Sequence, residues 1–589
     1  MIRAGVFIGV DKTGNLQRLH DAASGARRMY EWSLAQGMAD QTHAKLITDA
    51  DNKKVDPDRI YDAIKAIIDG PGVDQLIVYF AGHGVNINRT EHWLLTDAPV
   101  RTSAAINVSG SVELARYAGI QHVVFISDAC RVAPEGIQAQ NVRGVDVFPN
   151  DGTGDRAKPV DQFFACLLGR TAAEIKDPTI AAQNYTALYT NALLDALMGT
   201  RPEVLEPGDT AGDNSLYVQP GKLQNYLESE VPRRVKAMGL AQKVNQNPDA
   251  LLALGGRWIA RIEAAVAPAT RSPLLVSSEA FPRLENLRIV TERLVQSAVE
   301  GNREVLDQNL HQANTGLVAG AKQLAGTTEQ LVIPFGPDHF ETQCGIKVRG
   351  ARVINFFALR ATVEFLGNSG DLLRIDNIEG PAASVLLFFE GNVGAVVPVL
   401  PGFLAALTFD EGELVDIAYE PSVNSWRWDL YKDRANEVRA IRAVAAASSQ
   451  HGRFRLDGEE AIKVAQKMQY AKGIDPTLAV YAAYAYHDLQ AIERIQQMSR
   501  YLHSDVGVTF FDLALLSRAL LDKTIGLKDD IVPFVPLLSQ GWALLKAHRV
   551  KLHPALVGIE SSMQESLWSL FDLAGMEKLK TAMQTQEVR

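Results

Sequence analysis

His83 and Cys130 are the two residues of this chain whose types and surroundings suit covalent chemistry. His83 closes the apolar run IVYFAGHG (residues 77–84), and Cys130 lies near the end of VVFISDACR (residues 123–131). Both runs read as buried strands followed by polar residues. In a parallel sheet, loops at the carboxyl ends of the strands gather the chemistry. Two such strands side by side would set an imidazole next to a thiol, which is a nucleophile with its base. The remaining cysteines, Cys166 in VDQFFAC and Cys344 in HFETQCGIKV, lack such a partner and read as apolar packing.

These motifs resemble the caspase-like clan of cysteine proteases. His83 precedes Cys130 by 47 residues, close to the caspase separation of about 50 residues. The opening AGVFIGVD (residues 4–11) leads into LHDAASGARRMYEWSL, similar to the Leu-x-Asp-Ala helix start of the clan. VDQFFACLLGRTAAE (residues 160–174) and YTALYTNALLDAL (residues 185–197) resemble the strand, turn and closing helix that follow the nucleophile. Asp128 stands where caspases carry Gln, and Val132 where they carry Gly, so the metacaspase branch is the better match.

The resemblance implies a peptidase. Cys130 would attack the peptide carbonyl and His83 would act as general acid and base. The backbone N–H groups of Gly84 and Cys130 would form the oxyanion hole, and glycine at 84 would let the substrate backbone approach closely. Asp128 would line an S1 pocket for Arg or Lys, whose positive head group is the partner a buried carboxylate requires. If so, Arg143, Arg156 and Lys158, in the Gly-, Pro- and Asn-rich segment 133–159, are candidate self-cleavage sites. That segment reads as a long exposed loop. Asp151 and Asp155 within it are too few oxygen ligands for calcium, so no metal is expected. The chemistry itself requires no cofactor.

At 589 residues the chain exceeds one ordinary core. The expected class is multidomain α/β. A caspase-like α/β/α sandwich with a mostly parallel central sheet comes first, as a peptidase domain over residues 1–265. It comprises a core to about residue 200 and a helical extension through LQNYLESEVPRRVKAMG and LLALGGRWIARI. A helical linker over 266–330 follows, where ENLRIVTERLVQSAVEGNREVL has helical spacing. Short β-branched and aromatic runs between Gly and Asn turns indicate a small β-rich domain over 331–425. A helical and repeat-like domain over 426–589 ends the chain. Within it, DPTLAVYAAYAYHDL places Asp475 as a cap with Pro in the first turn.

A net charge of −10 speaks against direct nucleic-acid binding. Three cysteines give no disulfide framework, which suits a reducing cytoplasm. The apolar stretch 385–409 is interrupted by Glu390, Asn392, Pro398 and Pro401 and reads as strands, not as a membrane span.

With so much chain beyond the peptidase core, the resemblance points to a regulated effector of bacterial anti-phage or cell-death immunity acting on protein substrates. Its C-terminal half would sense a signal. A nucleotide-derived activator of the cyclised ADP-ribose kind, made by a partner enzyme, is one candidate; a protein partner is another. Two alternatives stay open: a selective protease maturing one partner, such as a pore-forming protein, and a non-catalytic scaffold.

Overall fold

The computed structural model describes residues 1–16, 18–39, 42–50, 53–70, 72–87, 90–132, 142–150, 157–165, 178–208, 215–237, 248–253, 257–263, 343–449, 458–521, 531–585 and 588. The chain divides into two compact units, Met1–Leu274 and Leu275–Arg589. It is a multidomain α/β protein: a mostly parallel mixed sheet with flanking helices, then β-rich sheets, then a helical region. The expected linker over 266–330 and Cys166 lie outside the described residues.

The first unit is built on β1 (Arg3–Gly9), β2 (Ala44–Thr48), β3 (Gln75–Ile87), β6 (His122–Val132) and β7 (Val160–Phe164), all mutually parallel in the order β7-β6-β3-β1-β2. Every residue of β1 is buried, as expected where both faces of a parallel sheet are covered. The hairpin strand β4 (Thr90–Leu94) turns back against the end of β3, and β5 (Ala105–Asn107) joins β4. Helix α1 (Ala22–Ala35) and the later α4 (Pro178–Leu197) share one core with Ile77, Tyr79, Val124 and Ile126. Between them in sequence, α2 (Pro57–Ile68) starts on Pro57 with Asp56 accepting from Arg59 N at 2.9 Å, and buries Ile60, Ile64 and Ile67 along one stripe. A shorter helix, α3 (Val108–Ala115), follows β5.

The expected extension is helical only in α5 (Pro220–Ala237). The later piece read as helix instead forms β10 (Asp249–Leu251), antiparallel to β7, and β11 (Ala260–Ile262). With β8 (Leu205–Pro207) and β9 (Leu216–Val218), β11 makes a three-stranded sheet. The pairing decides: the free edge of β7 takes up Asp249, Ala250 and Leu251, and three residues gain more from an open ladder than from an isolated helical turn.

The second unit holds two five-stranded sheets. One runs β14 (Thr362–Phe365), β15 (Leu372–Asp376), β12 (Gly345–Arg349), β18 (Phe403–Asp410) and β19 (Glu413–Pro421). The other runs β13 (Val353–Ala358), β16 (Ala383–Phe389), β17 (Val393–Val399), β21 (Leu570–Asp572) and β20 (Met563–Gln564). The apolar stretch 385–409 thus lies within β16, β17 and β18. Among the described residues no helix is long and apolar enough to cross a membrane. The helices α6 (Ala435–Ser449), α7 (Gly458–Ala471), α8 (Thr477–Asp488), α9 (Ile492–Val506) and α10 (Phe511–Leu516) share one apolar core with both sheets. Helix α8 is buried on all sides from Thr477 to His487, which explains why its sequence shows no polar face. A last helix, α11 (Leu573–Gln584), follows β21 directly.

Candidate active site

Strands β3 and β6 are adjacent and parallel, and their register pairs His83 with Cys130. The backbone of Cys130 belongs to the described residues; its side chain does not. Neither strand stops at its reactive residue, as the sequence suggested. β3 continues through Val85 to Ile87 and β6 to Val132, with pairing kept as far as Val85 and Val132. The cause is the hairpin, which pairs Gly84 with Trp93, Val85 with His92 and Ile87 with Thr90. Gly84 is therefore flanked by Trp93 on one side and Arg131 on the other. His83 is partly exposed.

One face of this pair of strands is locked from beneath. Ser127 Oγ donates to Glu91 Oε1 at 2.5 Å, and the Trp93 indole N–H lies 2.9 Å from both Glu91 Oε1 and Ser127 Oγ. Trp93 also stacks on Phe80 at 4.7 Å. This ties β4 to the two strands that carry His83 and Cys130.

Asp128 lies on the other face, 1% exposed, with its Oδ2 accepting from the Thr190 hydroxyl of α4. The Tyr79 hydroxyl of β3 is 2.7 Å from Thr190 Oγ1. Burial pushes the Asp128 carboxyl well above the usual carboxylate range, against the pull of Thr190, of Arg28 on α1 and of Tyr79. Gly25 of α1 permits this packing, since a Cβ there would come within 3.2 Å of the Tyr79 hydroxyl. Thr190, Tyr79 and Arg28 were not singled out in the sequence.

The expected loop over 133–159 is partly packed. Among its described residues, Val142, Val147 and Phe148 are buried, and Phe148 meets Phe125 at 5.7 Å. Arg143 is exposed, although its N–H bonds Thr102 O at 2.8 Å. Lys158 is half-buried, with its N–H on Arg116 O at 2.7 Å. Arg156, Asp151 and Asp155 lie outside the described residues. Cys344 is buried, with its thiol pushed up to about 12 by burial, which leaves almost no thiolate for reaction.

A second histidine–carboxylate pair sits at the opposite, amino-terminal ends of the strands. His122 Nε2 is 2.8 Å from Asp161 Oδ2. The Arg3 guanidinium donates to Gln75 Oε1 at 2.7 Å, which turns the Gln75 amide nitrogen towards Trp258 O at 2.7 Å and His122 Nδ1 at 3.0 Å. Nδ1 thus accepts, and Nε2–H is left to donate to Asp161. With His122 3% and Asp161 0% exposed, this pair clamps four strand starts.

No family model matches the chain, and no curated protein matches it. Among solved structures, protein GSU0716 from Geobacter sulfurreducens is similar over 42% of this chain and 92% of its own length, at 12% identity and a TM-score of 0.27. So distant a likeness transfers neither fold nor function.

Proposed function

We propose that the first unit is a cysteine endopeptidase of the caspase and metacaspase type. The observation that carries this reading is the register: His83 and Cys130 are paired across two neighbouring parallel strands. Residues paired in a parallel ladder share a face, and the strands stand about 4.8 Å apart. A thiol and an imidazole on such positions meet through ordinary side-chain rotations. Cys130 attacks the carbonyl carbon as its proton passes to His83, and His83 returns a proton to the departing amine. The mostly parallel sheet with α1 and α4 against one face supports the caspase-like α/β/α reading.

The oxyanion donors of the proposal, the N–H groups of Gly84 and Cys130, lie where the ladder still continues. An activating step that opens the ladder beyond His83 is therefore part of the reading, with the second unit as the receiver of a nucleotide-type or protein signal in bacterial immunity. Asp128 is assigned to basic P1 side chains, and a cytoplasmic setting follows from the same reading.

The test is a peptide-library digest with the full-length protein, with and without candidate nucleotide signals. Cys130→Ala and His83→Ala should each lower turnover by at least about a thousandfold, the order seen when a member of a catalytic nucleophile–base unit is removed. Undiminished cleavage by either variant would refute the assignment.

A further inference from the structure

Asp128 is the acid of the strand that carries Cys130, and its surroundings are more specific than simple burial requires. Its Oδ2 receives the Thr190 hydroxyl proton. A threonine hydroxyl has a single proton, so the Tyr79 hydroxyl, 2.7 Å away, donates to Thr190. The hydrogen bonds therefore run in one direction, Tyr79 to Thr190 to Asp128, and each donor strengthens the next. Around this carboxyl, β3 presents Tyr79, α1 presents Arg28 and α4 presents Thr190, while the uncharged Phe163 and Ala165 pack in the same core as Tyr79. Asp128 Oδ1 has no hydrogen-bond partner among the described residues.

We propose that Tyr79 and Thr190 are positioning residues for a basic substrate side chain: Tyr79 orients Thr190, and Thr190 holds its hydroxyl ready for a carboxylate that forms when a guanidinium or ammonium group reaches Asp128 Oδ1. This rests on the peptidase reading above. Burial raises the Asp128 carboxyl above the usual carboxylate range, which favours its proton-bound form until a cation is near. When the cation arrives, the carboxyl O–H bond breaks, its electron pair stays on oxygen and the proton leaves to solvent. One positive charge enters the site and one leaves, so the buried region gains no net charge.

Calorimetric titration of the full-length Cys130→Ala protein tests this. An arginine peptide and its citrulline counterpart are compared in buffers of different ionisation enthalpy. The arginine peptide should release more protons on binding than the citrulline peptide. Thr190→Val should weaken the arginine peptide about ten- to a hundredfold, the range for a hydrogen bond to a charged group, and leave the citrulline peptide unchanged. Tyr79→Phe should act in the same direction but less, and Thr190→Ser should restore binding. Arginine binding without proton release, or an equal loss for both peptides in Thr190→Val, would overturn the positioning role and leave the peptidase reading intact. If arginine peptides do not bind while wild-type protein still cleaves other sequences through Cys130, the basic preference and this inference fall together. Absence of any Cys130-dependent cleavage would instead overturn the peptidase reading itself.

Discussion

Arg442 of α6 and Asp475, just before α8, form an ion pair in the second unit at 1% and 0% exposure. Arg442 Nη2 lies 2.6 Å and its Nε 2.7 Å from Asp475 Oδ2. The other carboxylate oxygen, Oδ1, receives the Thr477 hydroxyl at 2.6 Å and the Tyr419 N–H at 3.2 Å. Removing one partner strands the other charge, which costs about 3–5 kcal/mol. Arg442→Met should therefore lower the unfolding free energy of this unit by about that amount in a denaturant titration. Asp416 shares the cluster, its carboxyl pushed up to about 7 by burial and by Asp475, against the pull of Arg442. Its folded value thus lies above its ordinary 3.8, so its contribution to stability is complete below about pH 4 and is lost as pH rises through about 7. The span corresponds to about 4 kcal/mol. Asp416→Asn should flatten the pH dependence of unfolding between about pH 4 and pH 7; an unchanged slope would place the titration elsewhere. At this scale the sequence was readable where neighbours in space are also neighbours in a ladder, as with His83 and Cys130. It was misleading where a side chain had two uses. Asp475 looked like a helix cap, and its Oδ1 does accept the Thr477 N–H at 3.1 Å, although Pro476 is the residue next to the helix; its Oδ2 also holds Arg442, which the sequence did not show. Thr190 carried no signal at all, because its partner Asp128 is 62 residues away.

Among the elements, the apolar strands of the first unit were legible because a sheet covered on both faces needs unbroken apolar runs, and β1, β3 and β6 supply them. Where those strands end was not legible. The hairpin to β4 draws β3 past His83 by backbone pairing, to which side-chain type is a poor guide. Strands β20 and β21 escaped the sequence for a related reason. They span two and three residues, and β17, the partner of β21, precedes it by more than 160 residues, with Gly394 paired to Phe571. Yet Leu567, Trp568, Leu570 and Phe571 are all buried in the common core. A chain cut after residue 562 should leave that core open and be digested rapidly by a nonspecific protease within residues 343–521, while the first unit resists. Within the first unit, Gly25→Val would press a branched side chain on Tyr79 and Thr190, at a cost of about 1–3 kcal/mol seen as a lower midpoint in thermal unfolding.

For the molecule as a whole, each unit has its own apolar core. Heating followed by calorimetry should resolve two cooperative transitions, with Arg442→Met moving one of them and Gly25→Val the other. If the second unit receives the activating signal, removing residues beyond 342 should change how peptide cleavage depends on that signal. Identical dependence would locate the switch in the first unit. The sequence indicated a β-rich segment followed by helices, and both are present. Their fusion into one core was hidden, because apolar faces do not declare which partner covers them. That fusion has a consequence for how the protein is made. At ribosomal speeds of about 5–20 residues per second, β17 would leave the ribosome roughly ten to thirty seconds before β21 exists to pair with its Val393–Gly394 end. Through that interval an apolar strand, Val393–Val399, has an open edge of the kind that pairs with other chains. Production of this protein should depend on holding chaperones, and slower translation of the 170 or so codons between β17 and β21 should increase aggregation rather than relieve it.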